Sequence, residues 1–192
     1  MGVEVLLRTD PPRRLALTGD ALLTLQASGA LAPDHTAELI AGDLIEMPSE
    51  GEAHSHLKAR LIWWFNRMLD ERRYWVAPDT PLRLSPTDWP EPDLFVHASG
   101  VLPARVLGPQ TDLVVEIADT SLAYDLGVKA ALYRRFGVRR YWVIDLHARL
   151  THDHAAAPAP DALWTVTAVP FGAPLEVGAE LAPSLLVEGL LG

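Results

Sequence analysis

The chain contains no cysteine, so disulfides, thiolate zinc sites and cysteine nucleophiles are all excluded. Lysine is nearly absent: Lys58 and Lys129 stand against 14 arginines. No apolar run approaches the roughly 18 residues needed to cross a bilayer. The opening stretch, MGVEVLLRTDPPRRLAL, places arginines behind a short apolar segment and offers no clear cleavage site, which reads as no secretory leader and a cytoplasmic protein. A glycine loop for phosphates and a Ser–His–Asp signature are both missing. Positive charge is scarce as well. The formal net charge of -9 argues against a surface built for nucleic acid. The deficit is uneven, however. No Lys or Arg follows Arg149, and that tail carries Asp153, Asp161, Glu176, Glu180 and Glu188. Setting those five acids aside leaves 16 basic against 20 acidic residues, a balance of -4.

What is present describes an ordinary globular protein, 49% hydrophobic and 21% charged over 192 residues. That length suits a single domain, 1–192, with a core over 18–145 and a tail over 146–192 that adds a late strand and a cover. There is no internal repeat. The low-complexity stretch Ala155 to Pro160 reads as a loop.

Thr18 to Ser28 predicts a short helix capped by Thr18 or Asp20, with Leu22, Leu23 and Leu25 partly buried and Gly29 at its end. Glu38 to Met47 alternates around a central Gly-Asp turn, a hairpin signal, and Pro48 to Glu52 follows as a polar loop. Leu57, Leu61, Trp64, Phe65, Met68 and Leu69 keep the helical period and predict a helix from Ser55 to Arg72. Strands are expected at Tyr74 to Leu84, Asp93 to His97 and Asp112 to Ala118. The last is almost wholly apolar, as suits a strand covered on both faces. A helix capped by Thr120 or Ser121 and closed by Gly137 leads to a buried strand, Tyr141 to Asp145. Strand, helix and strand at this spacing form a right-handed crossover, so part of the sheet is parallel. Trp164 to Val169 would be an edge strand. The expected class is α/β, a mixed sheet flanked by helices, with an N-terminal helix and a β-hairpin as an extension.

Three residues carry the chemistry. Glu116 lies among Val114, Val115 and Ile117, where an unpaired carboxylate costs several kcal/mol. A metal ion, an arginine or a place at the strand end would each relieve it. Asp93 opens a strand after Pro92 and is either a turn residue or the second half of an oxygen-ligand pair suited to Mg²⁺. Lys129 stands out against the arginine bias. It is either a surface i,i+4 partner of Asp125 or an ammonium that orients a hydroxide and stabilises a phosphate transition state.

The segments ELIAGDLIEM, His54 ahead of a long helix, EPDLFV, DLVVEIADTS, Asp125–Lys129–Tyr133 and GVRRYWVID occur in the order seen in the Uma2 (Uma-two) family. The chain resembles that family over Thr18 to Asp145. The family is similar to restriction endonucleases and is placed with the PD-(D/E)XK nucleases. The resemblance implies a restriction-endonuclease-like fold and a Mg²⁺- or Mn²⁺-dependent endonuclease acting on nucleic acid, DNA before RNA. It implies that Asp93 and Glu116 are catalytic residues and metal ligands and that Lys129 is the catalytic lysine. The superfamily's usual lysine follows the second acid by two positions, and Ala118 stands there. Asp119 replaces a common serine, with Ser121 nearby, and Ala41 replaces a hairpin acid. Glu38 and His54 are secondary candidates. Glu38 would complete a metal shell or end a hairpin; His54 would contact phosphate, assist proton transfer or simply be solvated.

Other features carry less. His54–Ser55–His56 and His152–Asp153–His154 lack a third ligand at helical spacing and read as surface histidines. The tryptophans read mostly as core. The pairs Arg72–Arg73, Arg134–Arg135 and Arg139–Arg140 could follow a phosphate backbone or sit at solvated helix ends. Two competing functions remain open: a catalytically silent nuclease-like fold serving binding or regulation, and a hydrolase of small phosphoesters. A homodimer is expected, since symmetric pairs are common, and no membrane partner is expected.

Overall fold

The computed structural model describes residues 14–31, 37–156, 164–178 and 180–191. The arginine-bearing start up to residue 13, most of the Ala155–Pro160 stretch and Asp161 lie outside the described residues.

The first helix, α1 (Gly19–Ala27), is capped by Thr18, whose hydroxyl accepts from the Ala21 amide at 3.3 Å. Leu22 is buried with Leu39 and Trp89 in a small satellite core, while Leu23 is exposed. The hairpin follows as β1 (Ala37–Ile40) and β2 (Asp43–Glu46). Its turn is Ala41–Gly42, one residue ahead of the expected Gly-Asp. Both residues have positive φ, 50° and 78°, the requirement of a tight type I′ turn. Asp43 is thereby freed to pair with Ile40. The hairpin is fixed to the body by Asp88, whose carboxylate accepts from the Ala41 amide at 2.8 Å.

The long helix α2 (Glu52–Met68) begins earlier and ends earlier than the apolar period predicts. Leu69 is already extended, and the Asp70 carbonyl accepts from the amides of Arg73 and Tyr74 in the turn that follows. The strand after it, β3 (Tyr74–Pro78), is also shorter than expected. At Asp79 the backbone turns to φ 43°, and Leu82 and Leu84 reach the core from an irregular segment bonded to Pro90 and Asp88.

The main sheet has the order β3-β4-β5-β6-β7-β8, with β4 (Leu94–Ala98), β5 (Thr111–Ala118), β6 (Arg140–Asp145), β7 (Leu150–Ala155) and β8 (Thr165–Pro170). Only β5–β6 is parallel, so the sheet is mixed as expected. The connection between those two strands contains α3 (Leu122–Tyr124), a π-helical turn (Asp125–Lys129) and α4 (Ala130–Arg135). Gly137, at φ 77°, ends it, with the Val138 amide returning to the Tyr133 carbonyl.

Each face of the sheet has its own core, and the two-residue alternation of β5 sorts them. Leu113, Val115 and Ile117 meet α2 and the tail residues Phe171, Leu175, Val187 and Leu190. Val114 and Ala118 meet Leu132 and Tyr133 of α4 together with Ile40 of the hairpin. Glu116 belongs to this second face. Strand β7 was not anticipated, because LTHDHA carries little apolar signal. Its most costly buried group, the Asp153 carboxylate, is paired, while the Thr151 hydroxyl is buried without a hydrogen-bond partner. Asp153 accepts from Arg140 at 2.7 and 2.5 Å and from the Trp142 indole at 3.0 Å. His154 is only 6% exposed and packs against Tyr141 and Trp164, so it is not a surface histidine. Among the described residues no helix is long and apolar enough to cross a membrane.

Candidate active site

Register brings the two acids together. Leu94 of β4 pairs with Val115 of β5, and one step further along each strand stand Asp93 and Glu116. The Asp93 carboxylate is fixed there by the Ile117 amide, which donates to Oδ2 at 2.7 Å. Both acids line one cleft of about 360 Å³, and Glu38, His54 and Lys129 line it too. All five candidates from the sequence therefore converge on one place.

Lys129 is 1% exposed, not a surface partner of Asp125. Asp125 itself is buried to the same degree. The Lys129 ammonium lies 2.9 Å from Glu38 Oε1, 2.9 Å from Glu116 Oε1 and 3.8 Å from Asp125 Oδ1. Tyr133, one turn on, donates to the same Glu116 oxygen at 2.9 Å. Glu38 Oε1 also accepts from the Glu91 amide at 3.1 Å, and Asp125 accepts from the Ser121 hydroxyl at 2.5 Å. The π turn that ends at Lys129 is a local irregularity of a kind frequent at functional sites. Ala118 lies on the same strand face as Glu116, and the Lys129 amine reaches that carboxylate from the helical connection.

The electrostatics follow from three buried acids sharing one buried ammonium. Burial pushes the Glu116 carboxyl well above the usual carboxylate range; Lys129 opposes the shift, while Asp125, Asp93 and Glu38 add to it. Burial likewise raises Glu38 and Asp125 against the pull of Lys129. Burial alone would lower Lys129, but Glu116, Glu38 and Asp125 together outweigh it, so the amine stays charged. The Tyr124 phenol is pushed up to about 12 by burial and by Glu38.

A second cluster faces this one across Asp93. His54 sits in the first turn of α2, 7% exposed and so not a solvated loop residue. Its Nε2 is 3.1 Å from Asp93 Oδ2 and its Nδ1 3.2 Å from Glu50 Oε2. Burial would lower the His54 pKa, but Asp93 and Glu50 raise it above the usual value. Lys58, one turn along, is bonded to Glu50, lies 2.7 Å from Asp79 and 3.7 Å from Asp93 Oδ1. Sequence reasoning missed Lys58, Glu50 and Asp79. A signal for Lys58 was present, because the arginine bias that marks Lys129 marks it equally. Glu50 and Asp79 lie in irregular segments without periodicity and left no trace.

The donor set suits a hard divalent cation. Among the described residues, eight carboxylate residues line the cleft against one lysine, so added positive charge would favour the approach of a phosphate diester. Glu38 Oε2 and Asp125 Oδ1 are buried without a hydrogen-bond partner. Glu50, His54 and Asp93 each offer a ligand atom, all within 4.8 Å of one another. Carboxylate oxygens suit a hard divalent cation and an imidazole a first-row transition metal, so this donor set fits a divalent metal ion.

A family model, Uma2, described as "Putative restriction endonuclease", matches residues 20–152. Among solved structures, the fold is similar to one described as a "putative nuclease belonging to DUF820" from Anabaena variabilis ATCC 29413. The TM-score is 0.68 at 16% identity, over 91% of this chain and 97% of that one, which establishes a shared fold. No curated protein matches the chain.

Proposed function

The chain belongs to the Uma2 family, and from that premise we propose that it is a Mg²⁺- or Mn²⁺-dependent endonuclease of the PD-(D/E)XK type that hydrolyses phosphodiester bonds, with DNA as the first substrate to test. The supporting observation is the Lys129 ammonium 2.9 Å from Glu116 in a cleft that Asp93 also lines. In this reading Asp93 and Glu116 are the ligands. A divalent cation held by them would supply Lewis acidity toward water and a counter-charge for the phosphate. Asp93 is presented rigidly because the Ile117 amide occupies one of its oxygens. Glu116 spends Oε1 on Lys129 and Tyr133. Lys129 keeps a positive charge beside the place where a phosphate oxygen would sit, and Glu38 restrains that amine. His54, bonded to Asp93, holds a proton at the cleft wall.

The experiment is Mn²⁺-dependent nicking of supercoiled plasmid. The wild type is expected to nick, and Asp93→Ala and Glu116→Ala to lose about a hundredfold or more, the scale of several kcal/mol of metal-derived stabilisation. Nicking that persists at wild-type level in Asp93→Ala overturns the proposal. A second reading, a silent nuclease fold used for binding, draws on the saturation of Lys129 by carboxylates at 1% exposure. It would be recognised by nucleic-acid binding with no cleavage under any divalent metal. We also propose a cytoplasmic homodimer. Light scattering is expected to give twice the 21.0 kDa chain mass, and monomer alone overturns that part.

A further inference from the structure

We infer that the solvent face of α2 is a phosphate-backbone contact surface, with Arg60 and Arg67 as the contacting groups and Trp63 as the platform that holds them. The inference takes its ligand, a DNA strand, from the nuclease reading, and it concerns residues outside the cleft.

The sequence between Glu52 and Asp70 contains no acidic residue, although the whole chain carries -9. Of the basic residues within it, Lys58 points inward to Glu50 and Asp79. Arg60 and Arg67 lie one turn before and one turn after Trp63, on the outer side of the helix. Trp63 is 50% exposed, unlike its neighbour Trp64, which packs in the core. The Arg60 guanidinium lies 5.3 Å and that of Arg67 4.9 Å from the centre of the Trp63 ring. Both distances are within the range of a cation–π contact.

Other arginines pair with acids, among them Arg72 with Asp70, Arg139 with Asp112, Arg140 with Asp153 and Arg149 with Glu188, while Arg83 and Arg135 each lie over a single ring; Trp63 holds two guanidinium groups. Neither Arg60 nor Arg67 is in an ion pair with a described residue. A ring contact restrains a guanidinium without neutralising it, so the donors are held ready for an anion. Two unneutralised planar forks on a half-bare indole match a polyphosphate chain. Trp63 follows His54 by nine residues, about 14 Å along the helix and half a turn around it. The contact therefore serves a strand on the flank of the protein, beyond the bond that the cleft would address, and acts on affinity alone.

The test is fluorescence anisotropy of fluorescein-labelled DNA, duplex and single-stranded, with Ca²⁺ in place of Mg²⁺ and salt varied. Arg60→Ala/Arg67→Ala is expected to weaken binding about tenfold at low salt. It should flatten the slope of log K against log salt by about 1.8 on duplex or about 1.4 on single strand, the loss of two phosphate contacts. Trp63→Ala should weaken binding about threefold or more, and Trp63→Phe should retain most of the affinity, since Phe still offers a ring face. If wild type binds and the double variant matches it in affinity and slope, the inference is overturned while the nuclease reading stands. If wild type binds neither DNA, the DNA reading and the inference fall together. If Trp63→Ala converts a dimer to a monomer with DNA binding unchanged, the face is a self-association surface and the inference is overturned.

Discussion

Lys129 Nζ lies 2.9 Å from Glu116 Oε1, joining the helical connection to the strand thirteen residues earlier. The same amine is 2.9 Å from Glu38, so hairpin, sheet and helix meet on one positive charge. Removing that charge leaves three buried acids facing one another. Lys129→Met is expected to cost about 3 kcal/mol or more in urea unfolding near neutral pH, in EDTA, because it strands buried carboxylates. Their folded pKa values are raised, so the unfolded chain ionises more readily. The penalty is therefore full above the folded values and is relieved as pH falls toward the unfolded value near 4.5. A penalty that does not shrink with acid contradicts this account.

Tyr133→Phe keeps the packing and deletes the donor to Glu116, which is 2.9 Å away. A hydrogen bond to a charged group contributes about 2 kcal/mol. The unfolding free energy should drop by that amount, seen as a lower urea midpoint with the slope unchanged. A variant as stable as wild type would mean that the phenol bond contributes nothing.

Metal binding should be visible without catalysis. Mn²⁺ at a hundred times its dissociation constant raises stability by about 2.7 kcal/mol, seen as a higher Tm that EDTA reverses. Asp93→Asn and Glu116→Gln are each expected to abolish the rise. An equal rise in both variants would place the ion elsewhere.

Acid should weaken the fold through buried histidines remote from the cleft. Burial lowers the pKa of His97 and of His154 below the usual 6.5. As pH falls below that value the unfolded chain takes up protons that the folded chain refuses, so stability present above about 6.5 is progressively lost. The limiting slope is about 1.4 kcal/mol per pH unit for each histidine. His54 is shifted upward and acts in the opposite sense, so the informative comparison is between variants. His154→Gln should lose less stability between about pH 7 and about pH 5 than wild type. Parallel curves would remove His154 from the explanation.

The legibility of the fold varied with how each element earns its burial. Strands β4, β5 and β6 bury apolar side chains on both faces, and unbroken apolar runs announced them. Strand β7 buries Asp153 and His154, and it can do so because Arg140, Trp142 and Tyr141 stand across the sheet. Nothing local distinguishes such a strand from a polar loop. The hairpin turn was displaced by one residue for a similar reason. Gly42–Asp43 looks like the better turn pair, yet Asp88 binds the Ala41 amide from 47 residues away and the turn sits at Ala41–Gly42. Tryptophan burial was only partly readable: Trp64 and Trp142 are core, but Trp63 and Trp75 are exposed.

The sequence by itself determined the absence of thiol chemistry and the alternation of strands and helices, and it singled out Asp93, Glu116 and Lys129, because composition and periodicity are properties of consecutive residues; Glu38 and His54 entered only through the resemblance to the Uma2 family. The tertiary structure alone decided that Lys129 is a buried amine among three acids rather than a surface partner of Asp125, and that Lys58, Glu50 and Asp79 stand across Asp93 from it. The reason is physical. The energy of a charge depends on which other charges lie within a few ångströms. In this chain those neighbours are brought in by strand register and by a helix crossing the sheet, over separations that no local pattern records.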